Sequence, residues 1–143
     1  MPKITQQQIV DTARECLGTP FMHQGRIAGV ALDCVGVAIH VAKKLGVQYK
    51  DVNGYSMLPA NGLLESSLSS QSCIREVGLN EVKSGDILVM RFSNDPQHVA
   101  IFAGETIIHS YSNVGKVCEH GLNDVWKKRI VKAFRFVDVE EVA

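Results

Sequence analysis

The strongest constraint on the fold is a change of hydrophobic periodicity near Gly85. Before it, apolar residues recur at helical spacing, which predicts helices over residues 5–17 and 34–45. After it come five short β-rich runs bounded by turn residues: DILVMRF, HVAIFAG, TIIHSY, GKVCEH and RIVKAFRFV, with a short helix near LNDVWKK. Helices followed by consecutive strands predict an α+β fold with an antiparallel sheet. Residues 50–86 are weakly patterned, and we predict loop there apart from a short helix from Asn61 through Leu68.

Length and charge exclude several classes of protein. A chain of 143 residues is most simply one domain, residues 1–143. The formal net charge is zero, which argues against nucleic acid as the main partner because phosphate binding needs a basic excess. No segment reaches the apolar length of a membrane span, and the N-terminus lacks the apolar core of a signal peptide. We therefore expect synthesis in the cytoplasm without a signal peptide.

A cysteine stands at the start of the second predicted helix, within DCVGVAIHVAKKLG. Asp33 is a suitable N-cap and Gly46 a suitable stop, so Cys34 occupies the first turn. Unpaired N–H groups and the helix dipole favour a thiolate at that position. Gly36 has no side chain, so another segment can approach the helix closely there. The alternative is that Cys34 is a small buried hydrophobic residue.

A two-residue turn joins two of the predicted strands and aligns two histidines. Gly104 followed by Glu105 indicates a type II′ turn, which pairs Ala103 with Thr106 and Ala100 with His109. His98 then lies opposite Tyr111, and the two histidines are diagonal neighbours on one face, roughly 7–8 Å apart at the backbone. A thiol, a base and a third polar group that orients the base are what nucleophilic catalysis requires. Tyr111 competes with His109 for the orienting role.

The other cysteines indicate neither disulfides nor a metal. Cys16, Cys34, Cys73 and Cys118 show no C-x-x-C spacing, and without a signal peptide we expect reduced thiols. Cys118 and His120 lie close in sequence, with two histidines upstream, and these are residue types that bind zinc. Structural zinc sites have tighter paired spacings. We therefore predict no metal and no cofactor.

The ensemble of these motifs resembles the NlpC/P60 cysteine peptidases, most closely their phage-associated cell-wall branch. The matching stretches are LGTPFMHQGR, DCVGVA, LPANGLLE, SGDILVMRF, QHVAIF and IIHSYSNVGKV. The resemblance implies a papain-like α+β fold in which the nucleophile's helix packs on an antiparallel sheet. It implies Cys34 as nucleophile, His98 as general base and His109 as the residue that orients the base.

The same resemblance implies the reaction and the partners. The expected activity is hydrolysis of peptidoglycan stem peptides after the γ-D-glutamyl residue, in a protein carried by a phage tail or tail-like particle together with other tail proteins. Candidate substrate-binding residues are Asp33, Phe21 and His23. Phe21 replaces a tyrosine of many relatives and Val35 replaces a serine, so polar contacts are lost. The alternatives are a tail assembly protein with little turnover, or another papain-like amidase or acyltransferase.

Overall fold

The computed structural model describes residues 4–50, 67–92, 96–137 and 139–140. Its helices and strands alternate little along the chain, as the periodicity predicts. The helices are α1 (Gln6–Arg14), α2 (Cys34–Lys44) and α3 (Asp124–Lys127), with a 3₁₀ turn at Leu79–Glu81. The strands are β1 (Ile4–Thr5), β2 (Arg26–Ile27), β3 (Ala31–Leu32), β4 (Ile74–Val77), β5 (Ile87–Arg91), β6 (Pro96–Phe102), β7 (Thr106–Tyr111), β8 (Lys116–Gly121), β9 (Ile130–Phe136) and β10 (Val139–Glu140).

Six of these strands form one antiparallel sheet. Its order is β4-β9-β5-β6-β7-β8, and each neighbouring pair is antiparallel. The α+β prediction, with helices before an antiparallel sheet, is therefore confirmed. Two smaller pairs, β1 with β10 and β2 with β3, lie outside this sheet. No helix in the described part of the chain is long and apolar enough to span a membrane.

The two faces of the sheet are covered differently. One face packs against α1 and α2, through residues that include Val37, Val41, Val99, Ile101 and Ile108. The opposite face carries Leu88, Met90, Ala100 and Ile107, and Trp126 of α3 packs against it. Because side chains alternate along a strand, neighbouring residues of β6 and β7 point to opposite faces. His98 lies two residues from Ala100 and His109 two residues from Ile107, so both histidines belong to the Trp126 face.

Both long helices begin as their sequences predict. Thr5 and Gln8 form a capping box on α1, with both reciprocal hydrogen bonds present. Asp33 caps α2, because its side chain accepts a hydrogen bond from the Gly36 N–H at 2.8 Å. Cys34 is the first residue of α2, which confirms its predicted position.

The prediction of loop across residues 50–86 is wrong at its end. Ile74–Val77 forms the edge strand β4 and pairs with β9. Only the first and last residues of β4 are buried, so its sequence lacks the alternating pattern that marks a half-buried strand. The predicted helix from Asn61 through Leu68 lies mostly outside the described residues, although 67–69 are helical.

A buried ion pair joins β9 to the segment before β5. Arg135 and Asp86 form two parallel hydrogen bonds, Nε to Oδ1 at 2.8 Å and Nη2 to Oδ2 at 2.9 Å. Arg135 also donates to the Glu81 carbonyl at 2.7 Å, and Asp86 accepts from the Lys83 N–H at 2.8 Å. The charges are thus paired and hydrogen-bonded, as burial requires.

Close packing at Gly36 explains why a glycine follows the cysteine by two residues. A Cβ placed on Gly36 would lie 2.4 Å from the Gly25 carbonyl oxygen and 3.0 Å from a Leu32 methyl carbon. Gly25 is itself packed on backbone, since a Cβ there would lie 2.7 Å from the Ala31 carbonyl. The loop before α2 therefore rests directly on the first turn of the helix.

Gly36→Ala should destabilise the protein although alanine favours helix. Helix propensity favours alanine by about 1 kcal/mol, whereas overpacking against backbone that cannot yield costs about 1–3 kcal/mol. We expect a net loss of stability in urea denaturation. Gly121→Ala is the control, since a Cβ there meets nothing within 4 Å. An unchanged midpoint in Gly36→Ala would contradict this packing.

Candidate active site

The site forms where two strands of the sheet part. The ladder between β6 and β7 consists of Ile101 paired with Ile108 and Phe102 paired with Ile107, and the Ala103 N–H donates to Thr106 at the turn. Gly104 has φ +97°, as a type II′ turn requires. The predicted register is therefore confirmed next to the turn, while the predicted pairs Ala100–His109 and His98–Tyr111 are not part of the ladder.

The N-terminus of α2 lies at this opening. The Val99 N–H donates a hydrogen bond to the Cys34 sulfur, and the Val35 N–H donates to the same atom. On the other strand, the buried Ser110 hydroxyl donates to the Leu32 carbonyl at 2.6 Å, two residues before the cysteine. Both strands thus hold the start of α2, and the sulfur lies against the backbone of the residue that follows His98.

The two histidines meet as the hairpin predicts. His98 Nε2 and His109 Nδ1 are 2.5 Å apart, and the ring centroids are separated by 4.8 Å. Both side chains are buried, His98 to 4% exposure and His109 to 0%. The prediction that they project to the same side of the sheet is confirmed.

A third histidine, His120, extends the series of hydrogen-bonded imidazoles. His109 Nε2 lies 2.8 Å from His120 Nε2, and His120 Nδ1 lies 3.0 Å from the Gly121 carbonyl oxygen. The sequence alone indicates no catalytic role for His120. The signal was the β7–β8 pairing: Tyr111 pairs with Lys116 and His109 with Cys118, which places His120 diagonal to His109 on the same face.

Aromatic side chains enclose the three imidazoles. Tyr111 stacks on His109 at 5.4 Å with an interplanar angle of 16°, and Trp126 meets the His109 ring edge-on at 5.1 Å. Trp126 also contacts His120 at 4.9 Å, and Phe92 contacts His98 at 5.1 Å. Tyr111 therefore packs on the face of His109, and it is His109 that contacts His98 Nε2. Sequence reasoning missed Phe92 and Trp126, because nothing in their local pattern indicates this packing.

Asp33 organises the loop in front of the cysteine. Its Oδ1 accepts from the Gly36 N–H and from Arg26 Nη1 at 2.9 Å, and its Oδ2 accepts from the Gln24 N–H at 2.9 Å. Gln24 has φ +61°, a left-handed conformation that is uncommon outside glycine and that this hydrogen bond holds. Asp33 is buried, so its position is that of a loop organiser; substrate binding by Asp33 stays a prediction.

The other two substrate-binding candidates lie on the segment beside the start of α2. Phe21 forms an isolated bridge with Leu32, and its N–H donates to the Gly115 carbonyl at 2.8 Å. His23 stands between Met22, whose N–H donates to Leu32, and Gln24, which is bonded to Asp33. Both are partly buried next to the cysteine's loop. Their contact with a substrate stays a prediction.

Burial disfavours the charged forms of the Cys34 thiol and of the His98 and His109 imidazoles. Desolvation, with the Asp33 carboxylate adding to it, raises the pKa of Cys34 to about 12, against the opposing effect of the Val99 and Val35 N–H groups. Desolvation also lowers the pKa of His98 well below its usual value, and lowers that of His109 to about 3. The expectation of a resting thiolate is therefore wrong, because burial outweighs the helix N-terminus.

Three side chains in this region offer metal-ligating atoms. His109, Cys118 and His120 each place one such atom within 4.8 Å of the others. The two imidazole nitrogens are 2.8 Å apart, closer than the roughly 3.3 Å that tetrahedral zinc would impose on two nitrogen ligands at its usual bond length. As placed, the two rings are hydrogen-bonded to each other rather than spread around a cation.

The comparisons with known proteins agree with this geometry. The family model described as NlpC/P60 matches residues 18–135, which contain the cysteine and all three histidines. The chain belongs to the NlpC/P60 family. No curated protein matches it in sequence.

Solved NlpC/P60 structures share the fold at low sequence identity. An NlpC/P60 protein from Bacillus cereus aligns with a TM-score of 0.71 and 20% identity over 95% of this chain and 41% of its own. The NlpC/p60 domain of the peptidoglycan hydrolase SagA aligns at 0.64 and 21% identity over 91% of this chain and 97% of its own. The peptidoglycan hydrolase RipB from Mycobacterium tuberculosis aligns at 0.64 and 16% identity, over 93% and 64%. The chain thus spans about two-fifths of the Bacillus protein and nearly the whole SagA domain.

The neutral thiol of this NlpC/P60 domain should show in its alkylation. With a pKa of about 12 for Cys34, the thiolate fraction, and with it the iodoacetamide rate, should rise about tenfold per pH unit from pH 7 to 9. The rate is measured by peptide mapping of the Cys34 peptide. Cys16 is fully buried and should label only on unfolding. A rate that is already constant across pH 6–8 would show a thiolate–imidazolium pair instead.

Proposed function

We propose that this protein is a cysteine peptidase that hydrolyses amide bonds in peptidoglycan stem peptides, with Cys34 as nucleophile, His98 as general base and His109 as the residue that orients the base. One observation carries the proposal: the Cys34 sulfur accepts the Val99 N–H beside His98, whose ring is in turn bonded to His109. That order of thiol, imidazole and orienting group is the one that nucleophilic catalysis needs.

The neutral resting state defines the first chemical step. A thiol with a raised pKa is a weak nucleophile, so the proton must leave Cys34 as the sulfur attacks the amide carbon. His98 takes that proton as general base. The Val35 and Val99 N–H groups stabilise the negative charge while it resides on sulfur. The lowered pKa of His98 keeps its ring unprotonated before the reaction, so that a ring nitrogen is available for the proton.

The later steps follow from the same groups. The N-terminus of α2 offers backbone N–H groups and a positive dipole end to the oxyanion of the tetrahedral intermediate. The imidazolium of His98 then protonates the leaving amine, and the thioester on Cys34 remains. Water, activated by the again neutral His98, hydrolyses this thioester and restores the thiol. His109 performs no bond chemistry and acts by holding the His98 ring.

Family membership supports peptidoglycan as the substrate. SagA and RipB, which share the fold, are named as peptidoglycan hydrolases. The resemblance of the sequence to the cell-wall branch supports the amide after the γ-D-glutamyl residue as the bond cleaved.

The same resemblance supports delivery by a phage tail or tail-like particle. Mass spectrometry of purified particles from induced cells should find the protein in the particle fraction; its confinement to the cell lysate would contradict this delivery.

Substitutions at the three residues should lower activity in a defined order. Cys34→Ala should abolish release of soluble peptides from purified sacculi, because no other group replaces the nucleophile. His98→Ala should lower the rate about a hundredfold or more, the usual contribution of a general base. His109→Ala should be milder, because water can fill its place at His98. Mass spectrometry of the released peptides identifies the bond.

Two controls separate loss of chemistry from loss of fold. Cys73→Ala removes a partly buried thiol elsewhere and should leave cleavage unchanged, and circular dichroism should show each variant folded. Full activity in Cys34→Ala would refute the proposal. A folded parent protein with no cleavage would favour a tail assembly role, and products cut at other amides or transferred to an amine would favour another amidase or acyltransferase.

A further inference from the structure

His98, His109 and His120 form a hydrogen-bonded series, here called the relay, that ends at the backbone carbonyl of Gly121. The Gly121 carbonyl oxygen can only accept a hydrogen bond, so His120 must carry its proton on Nδ1, 3.0 Å away. A neutral imidazole has one N–H. The Nε2 of a neutral His120 is therefore an acceptor.

The proton positions on His109 and His98 follow from that of His120. Since His120 Nε2 accepts, His109 must donate from Nε2 across the 2.8 Å contact, which leaves His109 Nδ1 without a proton. His109 Nδ1 then accepts from His98 Nε2 at 2.5 Å. His98 holds its proton on Nε2, and its Nδ1 lone pair is free to accept a proton. The lowered pKa values of His98 and His109 keep these two rings neutral, so each carries a single N–H.

We propose that His120 is a positioning residue of the active site, which sets the tautomer of His98 through His109 so that Nδ1 of His98 is the base. The proposal rests on the proposed function for its catalytic meaning. The Gly121 carbonyl anchors the relay, and Trp126 packs against both His109 and His120 and holds the two rings in contact. Reversal of the relay would place the proton on His98 Nδ1 and remove the acceptor.

Two substitutions at residue 120 separate this role from a structural one. Glutamine offers a carbonyl oxygen that can accept from His109 Nε2, so His120→Gln should preserve the relay. His120→Ala removes the acceptor and releases both tautomers of His109, and with them those of His98. We expect kcat to fall about threefold to tenfold in His120→Ala, the scale of one lost hydrogen bond, with KM unchanged, and to stay close to the parent value in His120→Gln.

The decisive readout is the tautomer itself, measured without substrate. Long-range ¹H–¹⁵N correlation spectra of the histidine-labelled protein distinguish protonated from unprotonated ring nitrogens. In the parent and in His120→Gln, His98 should show a protonated Nε2 and an unprotonated Nδ1; in His120→Ala, the Nδ1 resonance should shift toward the protonated type. A protonated Nδ1 in the parent, or an unchanged His98 in folded His120→Ala, would overturn the proposal. A correct tautomer in a protein that cleaves nothing would instead refute the proposed function.

Discussion

The site depends on one backbone N–H, that of Val99, which bonds to the Cys34 sulfur instead of to the neighbouring strand. Beyond Ile101 and Ile108 the ladder between β6 and β7 ends, and the Val99 N–H donates to the Cys34 sulfur. The N-terminus of α2 can occupy the opening only because Gly36 and Gly25 let the preceding loop pack backbone against backbone. Asp33 then fixes this loop and caps the helix with the same carboxylate. The position of Cys34 is therefore a consequence of sheet geometry and close packing together.

Enclosure of His98 and His109 decides the protonation state of these two rings. Tyr111, Trp126 and Phe92 pack on the rings and remove them from water, so the charged forms are disfavoured. The same enclosure raises the pKa of the thiol. Cys34, His98 and His109 are therefore all neutral at rest. In the proposed reaction the Cys34 proton moves to His98, and it can be accepted only by the ring nitrogen of His98 that carries no proton.

Local signals in the sequence were sufficient for the main elements. Asp33 and Gly46 bound α2, and the Gly104 turn alone fixes the register that brings His98 and His109 to one face. Interactions between distant segments were not predictable in this way. The edge strand β4 forms because it pairs with β9, although its own sequence does not alternate. His120 could have been placed by registering the second hairpin, whereas the contacts of Trp126 depend on how α3 packs on the sheet. The helix terminus alone predicts a thiolate at Cys34. The sequence does not show how far packing removes the sulfur from water, and this desolvation keeps the thiol protonated.

In the proposed mechanism Cys34 carries the acyl group of the substrate, and this intermediate can be trapped. The protein is mixed with soluble stem-peptide fragments, quenched in acid within the first turnover, digested and mapped by mass spectrometry. An acyl thioester should be found on the peptide that contains Cys34, and it should disappear on longer incubation as water releases the product. Turnover with the acyl group on any other residue, or with no acyl-enzyme even when hydrolysis is slowed, would contradict this mechanism.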